Sequence, residues 1–188
     1  KVFNMKKVLV PLAQGCEELE AVTIIDLLRR ADISVTTAGL DEKPVTASRG
    51  VILLADKTLD QCTDELYDMV VLPGGLPGSD YLNDDPRIQK VLTNTINDGH
   101  YVAAICAAPK VLANAGLLNN KRATSYPGVL DEMALPSTTL DSISPVIQDG
   151  LVITSRGPGT AMDFALKLIE VLAGKERRLD VEKGLVRS

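Results

Sequence analysis

KVLVPLAQGCEELEAVTIIDLLRRADISVTTAGL, residues 7–40, is the stretch whose reading decides the fold. After its leading lysine the run Lys7 to Leu12 is continuously apolar, as a parallel strand covered on both faces must be, and Gln14-Gly15 then breaks it. A helix is predicted from about Glu17 to Ala31. Acidic residues crowd its first turn and Arg29 and Arg30 its last, both complementing the helix dipole. ISVTTAGL, Ile33 to Leu40, is a second strand. Strand, helix and strand in this order are the unit of an α/β protein.

The alternation continues outward from this unit. Pro44 to Ala55 predicts two short strands around Arg49-Gly50, a hairpin that interrupts the pattern. MVVLPGG, Met69 to Gly75, is a strand ending in a Pro-Gly-Gly turn, and Asp85 to Asp98 is a helix opened by Asp-Pro. YVAAIC, Tyr101 to Cys106, is a strand, and Ala107 to Gly116 a helix that stops at glycine. LVITS, Leu151 to Ser155, runs through RGPGT into a helix from about Thr160 to Ala173. No repeat, low-complexity tract or linker divides the chain, so one domain is expected over residues 5–188, with Met5 reading as a natural start after Lys1 to Asn4. The expected architecture is a three-layer α/β/α sandwich that places ligands at the C-terminal ends of its strands.

Composition narrows the function. The chain has 188 residues, a formal net charge of −5 and a pI near 4.9, which argues against nucleic acid or an anionic membrane as the main partner. Aromatic residues make up 3%, with no Trp, so stacking platforms for single strands are disfavoured. No apolar run approaches the ~20 residues of a membrane span, and the run after the first lysines is shorter than a signal peptide's core. A cytoplasmic location is the expectation. Cys16, Cys62 and Cys106 are widely spaced, without a CxxC pair and with one histidine in the whole chain, so neither a zinc site nor any other metal or cofactor is expected.

Cys106 stands out because it falls where a buried strand gives way to a helix, at the rim where such sheets hold their sites. That resembles a nucleophile elbow. A thiol there meets unpaired N–H groups and the positive end of the helix dipole, which favour thiolate. The competing reading is an inert buried thiol, the ordinary fate of free cysteine. Cys16, at the mouth of the first strand, and Cys62, in a polar connection, are read as inert.

Glu17, Glu18 and Glu20 do not share one helix face at about 100° per residue. Glu20 falls in line with Ile24, Leu27 and Ala31, so it is either a solvated first-turn residue or a buried carboxyl with a raised proton affinity, able to donate to a thiolate or pass a proton. Glu17 and Glu18 need only the helix dipole. Leu72 to Gly75 offers backbone N–H groups for an oxyanion, or is a plain turn; RGPGT, Arg156 to Thr160, is equally a helix cap. His100 lies roughly 20 Å from Cys106 along an extended strand at ~3.3 Å per residue, so the two cannot pair within a subunit.

Taken in order and spacing, GCEELEAVTIIDLLRRA, ASRGVILLAD, YDMVVLPGG, VAAICAAP and TSRGPGTAMDFAL resemble the ThiJ/PfpI superfamily over nearly the whole chain, and look most like its parkinsonism-associated deglycase branch. The resemblance implies a flavodoxin-like fold, a homodimer formed partly by the first helix, and an oxidation-sensitive nucleophile, Cys106, contacted by a protonated Glu20. It implies oxyanion-type N–H donors at Gly75 and Ala107. Gly74, Tyr126, Pro158 and Arg49 match positions around the pocket, and Leu19, Asp26 and Arg30 match positions at the dimer interface or site entrance. The implied activities are removal of early methylglyoxal and glyoxal adducts from proteins, glutathione-independent conversion of methylglyoxal to lactate, and protection against oxidative stress, including holdase chaperoning. The alternative is a redox sensor or chaperone controlled by oxidation of Cys106 without turnover. Tyr126 departs from the pattern: several relatives carry histidine there, and a phenol with pKa near 10 is a poor base at neutral pH.

Overall fold

The computed structural model describes residues 5–187; Lys1 to Asn4 lie outside the described residues. Among the described residues eleven strands form in chain order: β1 (Lys7–Leu12), β2 (Ser34–Gly39), β3 (Val45–Thr46), β4 (Ile52–Leu53), β5 (Lys57–Thr58), β6 (Met69–Leu72), β7 (Tyr101–Ile105), β8 (Arg122–Ala123), β9 (Thr139–Leu140), β10 (Val146–Asp149) and β11 (Val152–Ser155). The helices are α1 (Glu18–Arg30), α2 (Gly78–Asp84), α3 (Pro86–Asn97), α4 (Pro109–Asn114), α5 (Ala161–Ala173) and α6 (Lys175–Gly184).

One seven-stranded sheet runs β10-β11-β7-β6-β1-β2-β5, parallel except where β10 pairs antiparallel with β11. Its strands bury alternate residues into two cores. Val8 and Val10 of β1, Val71 of β6 and Ile105 of β7 face the layer of α1 and α5. Leu9, Val70, Leu72 and Ala104 face the layer of α2, α3 and α4. Burial on both faces is why these strands read as unbroken apolar runs. With β1, β2, β6, β7 and β11 taken as strands one to five, the spatial order is 2-1-3-4-5, the flavodoxin-like order, whose switch point lies between β1 and β6.

The expected first strand, first helix and hairpin are found, the hairpin as β3 and β4 in antiparallel register around Arg49-Gly50. One local expectation is corrected. Residues 106–108 form a turn, and the helix predicted from Ala107 begins at Pro109, whose ring suits a first helical position. The sulfur therefore does not sit on a helix N-terminus, and α4 is too short to supply the dipole argued from sequence.

Candidate active site

Loops from the ends of β1, β6, β7 and β11 meet at the switch point. After β6, Pro73-Gly74-Gly75 turns against the start of α1, with the Glu17 N–H donating to the Gly74 carbonyl at 2.8 Å. Gly75 has φ +95°, and a Cβ there would lie 2.3 Å from the Glu17 nitrogen, so no side chain fits. At Gly74 a Cβ would come within 2.6 Å of the Cys106 Cβ and 2.7 Å of Glu20 Oε2, so the missing side chain is what lets the three residues converge.

Glu20 is wholly buried, and the Gly74 N–H donates to its Oε2 at 2.8 Å. Oε1 is buried with no well-aligned hydrogen-bond partner among the described residues. Burial pushes the carboxyl up to about 7 against the pull of the Gly74 N–H and the Cys106 thiol.

Cys106 takes φ +64°, a left-handed conformation that costs a non-glycine residue about 1–2 kcal/mol. It is held there by its neighbours: its N–H donates to Ser155 O at 3.0 Å and its carbonyl accepts from Tyr126 N–H at 2.8 Å. The side chain is directed to Glu20 and is 9% exposed. The N–H groups of Gly75 and Ala107 favour the thiolate, but burial first, then the neighbouring Glu20 carboxyl, push the thiol up to about 12. Burial thus opposes the expectation of a sulfur held anionic at neutral pH by amide dipoles and a neighbouring neutral carboxyl. Thiol and carboxyl repel each other's charge, so they titrate as a pair.

The three cysteines are free and buried. Burial, then the charges of Glu18, Glu17 and Glu20, raise Cys16 to about 11, and burial raises Cys62. His100 precedes β7 and so lies at the opposite end of that strand from Cys106, beside a cavity of about 360 Å³. A larger cavity, about 560 Å³, is lined by residues including Leu12, Tyr81 and Arg87 and also excludes Cys106. Chemistry rather than cavity size locates the site. Among the described residues no cluster of His, Cys, Asp or Glu is gathered to hold a metal ion, and no helix is long and apolar enough to cross a membrane.

The remaining sequence candidates are dispersed around this centre. Tyr126, exposed, and Pro158, half-buried, line an open groove of about 200 Å³ together with Arg156. Arg49 lies at the exposed hairpin turn, and its N–H donates to Glu18 at 2.8 Å. Leu19 is 51% exposed on α1, and Asp26 pairs with Arg30 at 2.7 Å one turn on. Two functions escaped the sequence reading. Glu18 is an anchor: although desolvation opposes it, its own N–H, the Ser48 hydroxyl and the Arg49 and Val51 amides hold its carboxylate below the usual value. Arg156 was hidden among glycines and proline that read as a cap.

Three relatives set this geometry in context. The chain is 46% identical over 96% of its length to Protein dj-1beta of Drosophila melanogaster, covering 97% of that protein. The crystal structure of Drosophila melanogaster DJ-1beta superposes with a TM-score of 0.94 at 44% identity, covering 98% of this chain and 99% of that one. Oxidized Toxoplasma gondii DJ-1 gives 0.91 at 39% identity, covering 97% and 99%. The glutathione-independent glyoxalase DJR-1.2 of Caenorhabditis elegans is 35% identical, covering 92% of this chain and 91% of that protein. The sequence profile of the DJ-1/PfpI family matches residues 6–171, and the chain belongs to that family.

Proposed function

We propose that the protein is a Cys106-dependent glyoxalase or deglycase acting on methylglyoxal, glyoxal and their early protein adducts. What supports this is Glu20, a fully buried carboxyl that meets Cys106 across Gly74, where a Cβ would lie 2.6 Å from the Cys106 Cβ and 2.7 Å from Glu20 Oε2. Sulfur attacks the aldehyde carbon while Glu20 relays the thiol proton, and the carbonyl oxygen takes the negative charge. The Gly75 and Ala107 N–H groups, which already favour negative charge on the sulfur, would serve as donors to an oxygen on the carbon attached to it. For methylglyoxal, transfer of hydrogen from that carbon to its neighbour and addition of water release lactate and restore the thiol. Tyr126 is exposed and plays no part as base. The glyoxalase among the relatives supports the same chemistry.

The test is lactate formation from methylglyoxal by wild type, Cys106→Ser and Glu20→Gln. Activity confined to wild type is expected, and equal activity in all three rejects the mechanism.

A second reading is a redox sensor or holdase in which two peroxide molecules convert the thiol to a sulfinic acid, releasing two waters. The same two amides and a protonated Glu20 suit the sulfinate oxygens. Intact-mass analysis after mild peroxide should then place two oxygens on Cys106 ahead of Cys16 and Cys62. We further propose that α1 and the hairpin form a homodimer interface, because Leu19, Val22, Val51, Ile52 and Leu54 leave large apolar side chains exposed on these two elements and the segment that follows.

A further inference from the structure

The groove lined by Tyr126 and Pro158, whose walls are hydrogen-bonded to or follow the partners of the Cys106 backbone, contains one charged residue, Arg156. Its other walls are Tyr126, Pro127, Gly157, Pro158 and Thr160, and it contains no Asp or Glu. Among the described residues the other arginines, Arg49 apart, are each ion-paired to a carboxylate. Arg156 has no such pair, and its Nε is buried without a hydrogen-bond partner. With Nε shut in, the outer guanidinium nitrogens, which make no hydrogen bond or ion pair among the described residues, are the ones free to meet an acceptor in the groove.

The surroundings settle on which side the acceptor binds. Arg156 also lines a second, half-open cavity of about 60 Å³, shared with Asp131, Asp141 and Thr124. Asp131 accepts the Gly128 N–H at 2.9 Å, and Asp141 is held by the amides of Ile143 and Ser144, the Ser144 hydroxyl and Arg122. Thr124, 2% exposed, likewise has an unpartnered hydroxyl there. These carboxylates make that cavity hostile to an anion, while the groove side is open and free of negative charge. Both groove walls are tied to the nucleophile's backbone. Tyr126 donates to Cys106 O at 2.8 Å, and Arg156 follows Ser155, whose carbonyl accepts the Cys106 N–H at 3.0 Å.

We infer that Arg156 is a specificity-determining residue that binds the carboxylate of the small hydroxy acid the reaction releases, held in this groove. The inference rests on the nucleophile reading above and extends it to product recognition. A guanidinium presents two parallel N–H donors that match a carboxylate, which a lysine cannot reproduce.

The test compares alkylation of Cys106 by iodoacetate and by iodoacetamide, reagents that both lose iodide to the sulfur but differ in negative charge. In wild type the iodoacetate to iodoacetamide rate ratio should exceed that of a free thiol. Arg156→Gln should lower it about tenfold, since hydrogen bonds to charged groups carry that weight. Arg156→Lys should recover only part of it. The iodoacetamide rate should stay within about twofold in both variants, because loss of a merely structural role slows both reagents alike. An unchanged ratio in Arg156→Gln overturns the inference while leaving the nucleophile in place. Titration with sodium lactate, followed by amide NMR shifts of Gly157 and Thr160, decides the question without relying on the reactivity of the sulfur. Saturable shifts in wild type that vanish in Arg156→Gln support the inference, and their absence in wild type overturns it.

Discussion

At the residue scale the structure turns on a carboxyl that gains proton affinity by folding. Glu20 moves from an ordinary 4.5 to about 7, so between those values the folded protein holds a proton that the unfolded chain has lost. Stability contributed by the protonated carboxyl is complete below about pH 4.5 and declines as pH rises to about 7. The full loss is on the order of 3 kcal/mol. Glu20→Gln keeps the shape and cannot ionise, so the difference in unfolding free energy, variant minus wild type, should grow with pH across that window. Urea unfolding at several pH values measures it, and a difference independent of pH contradicts the assignment. Legibility was uneven at this scale. Glu20 was readable because it heads an apolar helix stripe, and Cys106 because it ends a buried strand. The carboxyl's effect on the thiol was not, because it depends on Gly74 leaving no side chain between residues far apart in sequence.

At the scale of elements, the strands buried on both faces were legible and the edges were not. β10 pairs only with β11 and exposes Gln148, so it lacks the apolar run that marked β1. α6, KERRLDVEKG, buries Val181 and little else, which leaves no helical stripe to see. α2 opens with Gly-Ser-Asp, the composition of a turn. The hairpin was visible from its glycine, but its attachment was not: Glu18 holds the Arg49 and Val51 amides and the Ser48 hydroxyl from α1. Glu18→Ala should therefore loosen that turn. Hydrogen exchange should quicken at the Arg49 and Val51 amides and stay slow in β7, whereas unchanged exchange at the hairpin would show that Glu18 anchors nothing.

At the scale of the whole molecule, the switch-point order puts every loop of the site on one rim, while α1 and the hairpin present apolar side chains beside it. Leu54 is 78% exposed and Ile52 66%, more than a surface meant for water needs. Sedimentation should give a wild-type dimer and a Leu54→Asp monomer; a monomeric wild type removes the proposed interface. Assembly of this kind would also shield Leu19 and Val22 from water, which the isolated chain leaves about half exposed.

The central claim is that sulfur and carboxyl titrate together, and the rate of Cys106 alkylation by iodoacetamide across pH, in wild type and Glu20→Gln, tests it most directly. Wild type should rise in two steps, the first near pH 7 as the pair gives up one proton and the second far above the range of a free thiol. Glu20→Gln should show a single step, below the upper one of wild type. One step at the free-thiol value, the same in both proteins, would mean that Cys106 and Glu20 are neighbours without chemistry.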